Sequence, residues 1–166
     1  MHFSYICPTF YSKYMPRSHQ IPSIDEFKKK LKAQHLKATA QRLAVHEAMM
    51  QLGHASADMV ADAIREKGTT SITSASVYNI LSHLAYLGIY HYRFSSNNKM
   101  YFDVVTAPHI HLYDTVSNEF KDIVDEEIMG LVNERMKNRR FKGFKIDGVD
   151  IQIICHPSRK KNSRTI

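Results

Sequence analysis

The sequence predicts an α+β chain: an N-terminal winged helix-turn-helix followed by a small α/β dimerisation domain. Three observations carry this. Between residues 23 and 88, four stretches space apolar residues three or four apart, and each opens on a hydroxyl residue. The period then drops to two across residues 89–104, around a polar turn. Beyond Pro108, a shorter segment mixes extended and helical patterns.

Residues 1–22 hold three prolines and no sustained period, and are read as an extension ordered only against a partner. Ser23 precedes Ile24–Gln34, with Asp25 and Glu26 in the first turn, so a hydroxyl cap and two acids meet the positive end of a helix dipole. Thr39 opens a second helix carrying Leu43, Val45, Met49, Met50 and Leu52, closed by Gly53. Ser56 caps a third, which places His54 at its start, turns Met59, Val60, Ala63 and Ile64 inward and ends at Gly68. Thr73 or Ser74 caps a fourth, with Val77, Ile80, Leu81, Leu84 and Leu87 on one face.

Ile89–Phe94 and Lys99–Val104 flank Ser95-Ser96-Asn97-Asn98 and read as a hairpin, the wing. The DNA-binding domain thus spans 23–104 and a hinge 105–108, because proline resists both helix and central strand. Domain 109–157 follows: an extended His109–Tyr113, an amphipathic helix over Asp125–Arg139 with Ile128, Leu131, Val132 and Met136 inward, and one or two strands in Phe144–Cys155. Residues 158–166 form a basic tail. Some 60 residues make a small core, so this second domain is expected to complete itself by homodimerisation.

Composition limits the function. In 166 residues, 43% are hydrophobic and 23% charged, an ordinary globular balance. No apolar run approaches the ~18–20 residues of a membrane span, and the N-terminus lacks the apolar core of a signal peptide, so a cytoplasmic protein with no membrane partner is expected. Two cysteines, Cys7 and Cys155, exclude a disulfide scaffold. The net charge of +7 points to a polyanionic partner. Residues 1–50 hold eight Lys/Arg against three acids, whereas residues 114–134 hold seven acids against Lys121 alone.

Two constellations carry chemistry. Ser74-Ala75-Ser76-Val77-Tyr78-Asn79 opens the fourth helix with small and hydrogen-bonding residues, as suits a recognition helix entering the major groove of double-stranded DNA. Ser74, Ser76, Tyr78 and Asn79, with Arg42 on the second helix, are the candidate DNA contacts. Around the hinge, His109 and His111 stand two apart on an extended segment and project from one face. Asp103 from the wing, Asp122 from the next strand arm and His54 complete a mixed nitrogen and oxygen shell. Such a shell suits Fe²⁺ or Mn²⁺, with Zn²⁺ possible in the same site.

These segments resemble the ferric-uptake-regulator (Fur) family of metal-dependent repressors over roughly residues 28–155. The resemblance is carried by Leu36–Arg42, His54-Ala55-Ser56-Ala57-Asp58, Ile72–Leu81, Asp103 and His109-x-His111, in that order and spacing. It implies a homodimeric winged-helix repressor with a regulatory metal on His54, Asp103, His109, His111 and Asp122. Aspartates at both carboxylate positions, and Val77-Tyr78-Asn79, are most similar to the peroxide-sensing (PerR) branch. The implied function is repression of peroxide-stress genes, relieved when metal-catalysed oxidation damages a histidine ligand. An iron- or zinc-availability repressor is the alternative within the family. A small non-haem iron enzyme built on His109, His111 and a carboxylate is the remote one; an enzyme is not expected. Many relatives hold a structural zinc on two CxxC pairs. Here those places read Asp114-Thr115-Val116-Ser117 and Cys155-His156-Pro157-Ser158, so no structural four-cysteine zinc is expected.

Overall fold

A computed structural model describes residues 21–68, 70–146 and 148–158. The expectations for the extension up to residue 20, and for the tail from 159 on, lie outside the described residues. The chain divides into two compact units, with the boundary between Pro108 and His109.

The first unit begins with α1 (Ile24–Ala33), where Ser23 and Glu26 form a reciprocal capping box. Its register buries Phe27 and Leu31, one turn apart. Thr39 caps α2 (Ala40–Leu52) by accepting the Arg42 N–H, and Val45, His46, Ala48 and Met49 face inward. Gly53, at φ 68°, turns the chain out of that helix. Ser56 caps α3 (Ala57–Lys67), which buries Val60, Ala61 and Ile64 and ends on Gly68 in the left-handed conformation. Thr73, not Ser74, caps α4 (Ser74–Tyr86), whose inward face is Val77, Leu81 and Leu84.

Between α2 and α3 lies β1 (His54–Ala55), a two-residue strand. It joins β2 (His91–Phe94) and β3 (Met100–Asp103) in an antiparallel sheet with β3 at the centre. The β2–β3 wing turns through Ser95–Asn98 with Asn98 at φ 59°, held by the Ser95 N–H donating to the Lys99 carbonyl at 2.9 Å. Helices and sheet share one core, from Phe27 and Leu31 to Tyr90, Phe102 and Val104.

His46 supplies the polar clasp of that core. Its ring stacks on Phe27 at 4.0 Å between centroids. Nε2 lies 2.9 Å from the Pro22 carbonyl, which can only accept, so Nε2 carries the proton. Nδ1, 2.8 Å away, then accepts from the Tyr90 hydroxyl. Burial pushes the His46 pKa down, in keeping with this neutral tautomer. The clasp ties the chain ahead of α1 to Tyr90, just ahead of the strand that opens the wing.

The second unit is a three-stranded sheet with one helix. β4 (Ile110–Asp114) is central; β5 (Glu119–Ile123) pairs with it antiparallel and β6 (Ile151–Cys155) parallel. Between β5 and β6 runs α5 (Glu126–Met136), capped by Asp125. Here two expectations are corrected. The helix stops at Met136 and does not reach Arg139. Its apolar residues are not inward: no α5 residue is buried, and Ile128 and Leu131 are exposed, as are Ile153 and Ile154 on β6. Too little chain is left in this unit to cover both elements. Val105, placed in the hinge by sequence, packs into the core of the first unit.

Candidate metal centre

The first unit sets one cluster. The helix exit at Gly53 and the cap at Ser56 leave two residues between them, and these pair as β1 with β3, putting His54 opposite Asp103. His54 is thus on a strand and not at a helix start, and its Nε2 lies 3.2 Å from Asp103 Oδ2. Asp103 Oδ1 accepts the Val105 N–H at 2.8 Å, which fixes the carboxylate. Arg93, turned inward from β2, brings Nη2 to 3.7 Å from the same Oδ2.

The second unit sets another. The β4–β5 register places His111 directly opposite Asp122, so both side chains share a face. His109, just ahead of β4, brings Nε2 to 3.1 Å from Asp122 Oδ1, and His111 Nε2 lies 3.7 Å from that oxygen. The two imidazoles lie 4.1 Å apart between centroids. Asp150, just ahead of β6, sets Oδ1 3.3 Å from His111 Nδ1. A proton on Nδ1 facing that carboxylate leaves the Nε2 lone pair for a ligand bond. The sequence reading missed both Arg93 and Asp150. Only the inward position of Arg93 and the parallel pairing of β6 on β4 bring them to these sites, and neither is visible in local spacing.

Imidazole nitrogens and carboxylate oxygens in such buried surroundings are the donor set of a borderline divalent cation. Cys155 pairs with Asp114, at the opposite end of β4 from His109. There the Thr115 N–H and hydroxyl both donate to the Cys155 carbonyl, at 2.9 and 3.1 Å. The Val116 N–H donates to Asp114 Oδ1 at 2.8 Å. Hydrogen bonds close this end of the sheet.

The candidate DNA contacts lie on α2 and α4. Tyr78 and Asn79 are exposed on the first turns of α4, with the Tyr78 ring edge-on to Phe102. Ser74 is half-buried, and the Ser76 hydroxyl accepts from the Thr73 hydroxyl at 3.0 Å. The Arg42 Nη1 donates to the Lys37 carbonyl at 2.7 Å.

The model of the ferric uptake regulator family matches residues 33–153. No curated protein matches the chain. Among solved structures, the chain is similar to the Helicobacter pylori ferric uptake regulator Fur, described as having three functional metal binding sites (20% identity, TM-score 0.66, 88% of this chain and 99% of that one). It is similar to the Pseudomonas aeruginosa ferric uptake regulator with manganese (20%, TM-score 0.66, 80% and 98%). It is also similar to the Campylobacter jejuni peroxide stress regulator (25%, TM-score 0.59, 80% and 96%).

Proposed function

The chain belongs to the ferric uptake regulator family, whose members are metal-dependent transcriptional regulators, and on that premise we propose that it is a DNA-binding repressor controlled by one divalent cation per chain. His54, Asp103, His109, His111 and Asp122 hold this cation. The observation that carries the reading is that each unit sets buried histidine beside carboxylate, in a chain whose family match spans both clusters. An ion shared by both clusters ties the units across the hinge. That fixes how two recognition helices of a dimer meet DNA, about 34–36 Å or a multiple apart.

Fe²⁺ or Mn²⁺ suits this donor set, and Zn²⁺ fits it as well. Aspartate at both carboxylate positions and the likeness to the Campylobacter regulator favour peroxide as the signal over iron or zinc supply. The place of action is the cytoplasm; no helix among the described residues is long and apolar enough to cross a membrane.

The exposed apolar faces of α5 and β6 support a dimer. Sedimentation at micromolar concentration should give about twice the 19.2 kDa chain mass. The Mn²⁺-loaded dimer should retain duplexes selected from a random pool, and chelation should release them. A stable metal-loaded monomer, or retention indifferent to chelation, would overturn the proposal.

Tyr78 offers a clean probe of the DNA face. Its ring packs on Phe102 while the residue is 45% exposed, so Tyr78→Phe removes one hydroxyl and leaves the packing. Operator affinity should fall by roughly 1 kcal/mol or more, as for a lost hydrogen bond to phosphate or base. Arg42→Ala should weaken binding to every sequence and flatten the salt dependence by about one phosphate contact. Unchanged affinity and slope in both variants would put α4 and α2 outside the interface.

A further inference from the structure

Arg93 is a charged residue at the inward position of a strand whose other members, His91, Tyr92 and Phe94, are exposed. It is 8% exposed, and the carboxylate it faces, Asp103, is 1% exposed. A strand edge beside water has no need to bury a guanidinium, and an arginine goes inside only against a partner. One such partner is Asp103, whose Oδ2 lies 3.7 Å from Arg93 Nη2 and 3.2 Å from His54 Nε2.

We propose that Arg93 is a resident counter-cation for Asp103, competing with the regulatory metal and setting how tightly the site binds it. The inference rests on the reading above that Asp103 is a ligand. In the metal-free chain Arg93 sets a permanent positive charge beside a buried carboxylate, alongside the Val105 N–H on Oδ1 and the His54 ring at Oδ2. A guanidinium cannot shed its proton to admit a divalent cation. The metal therefore enters either against that positive charge or by displacing it from Oδ2, and both lower affinity. A lysine would serve by charge alone, whereas a neutral side chain would not.

The test is calorimetric titration of the full-length chain with Mn²⁺ alone, together with the thermal midpoint of the metal-free form. Arg93→Gln should bind Mn²⁺ at least about tenfold tighter, from the lost repulsion between the charges. Its metal-free midpoint should drop. Arg93→Lys should stay within about threefold of the parent affinity, since the charge remains. Should Arg93→Gln fail to fold, Arg93→Met keeps the packing of the aliphatic stem and carries the same expectation. A folded neutral variant with unchanged or weaker Mn²⁺ affinity overturns the proposal. Asp103→Asn, titrated alongside, separates the two ideas. If it abolishes tight Mn²⁺ binding while the neutral Arg93 variants do not tighten it, the counter-cation proposal fails alone. If it leaves Mn²⁺ affinity intact, Asp103 is no ligand and the underlying reading fails with it.

Discussion

Replacing His111 with alanine should abolish tight metal binding and operator binding together. His111 has a carboxylate beside each ring nitrogen. It is buried, with Asp122 3.7 Å from Nε2 and Asp150 3.3 Å from Nδ1, and its ring lies against His109. Alanine removes one donor and leaves two carboxylates facing a gap. Mn²⁺ affinity should fall by roughly 100-fold or more, the upper end of what loss of a mere supporting contact costs. If the metal acts by preferring the DNA-competent state, operator affinity in saturating Mn²⁺ for the parent should fall with it, because linkage is reciprocal. Calorimetry with Mn²⁺ and anisotropy with a selected duplex measure the two losses on one preparation. Metal binding lost with DNA binding unchanged would mean that the cation and the operator are not coupled.

What the sequence made legible follows the range of each signal. Caps and apolar periods are local, so the four front helices and the wing stand where Ser23, Thr39, Ser56 and the Ser95–Asn98 turn put them. His-x-His on an extended stretch is local too. The strand at His54 was not legible, because two residues are too few for a period; only the gap between Gly53 and Ser56 hints at it. The apolar stripe of α5 was visible, but a stripe does not say which surface it meets, and among the described residues none of it is fully buried.

Arg93 and Asp150 show the same limit at the site. Each reaches a proposed ligand through strand pairing, Arg93 across the wing and Asp150 through a parallel strand that arrives only after α5. Charge counts placed Arg93 among the basic residues that suggest a polyanionic partner. Its side chain is buried beside Asp103 and is not an exposed surface charge.

A brief peroxide pulse on the Fe²⁺-loaded dimer should add one oxygen to the peptide bearing His54 or His109 and release the DNA. Fe²⁺ held in such a histidine and carboxylate shell would catalyse the two-electron oxidation of a ligand ring by peroxide; Mn²⁺ in the same shell would do so far more slowly. The damage then falls on what lies nearest, and both imidazoles sit within about 3 Å of a proposed carboxylate ligand, His54 at 3.2 Å from Asp103 and His109 at 3.1 Å from Asp122. The ring carbon gains one oxygen atom from peroxide, and the other leaves as water. An oxidised imidazole would be a poorer donor, so metal affinity would fall and operator affinity with it. The sequence holds no close thiol pair to serve as a local redox switch, since Cys7 and Cys155 stand near opposite ends of it. Peptide mass spectrometry before and after the pulse, with the Mn²⁺ form as control, reads the site directly. Oxidation confined to Met or Cys, with the operator still bound, would replace peroxide by metal supply as the signal.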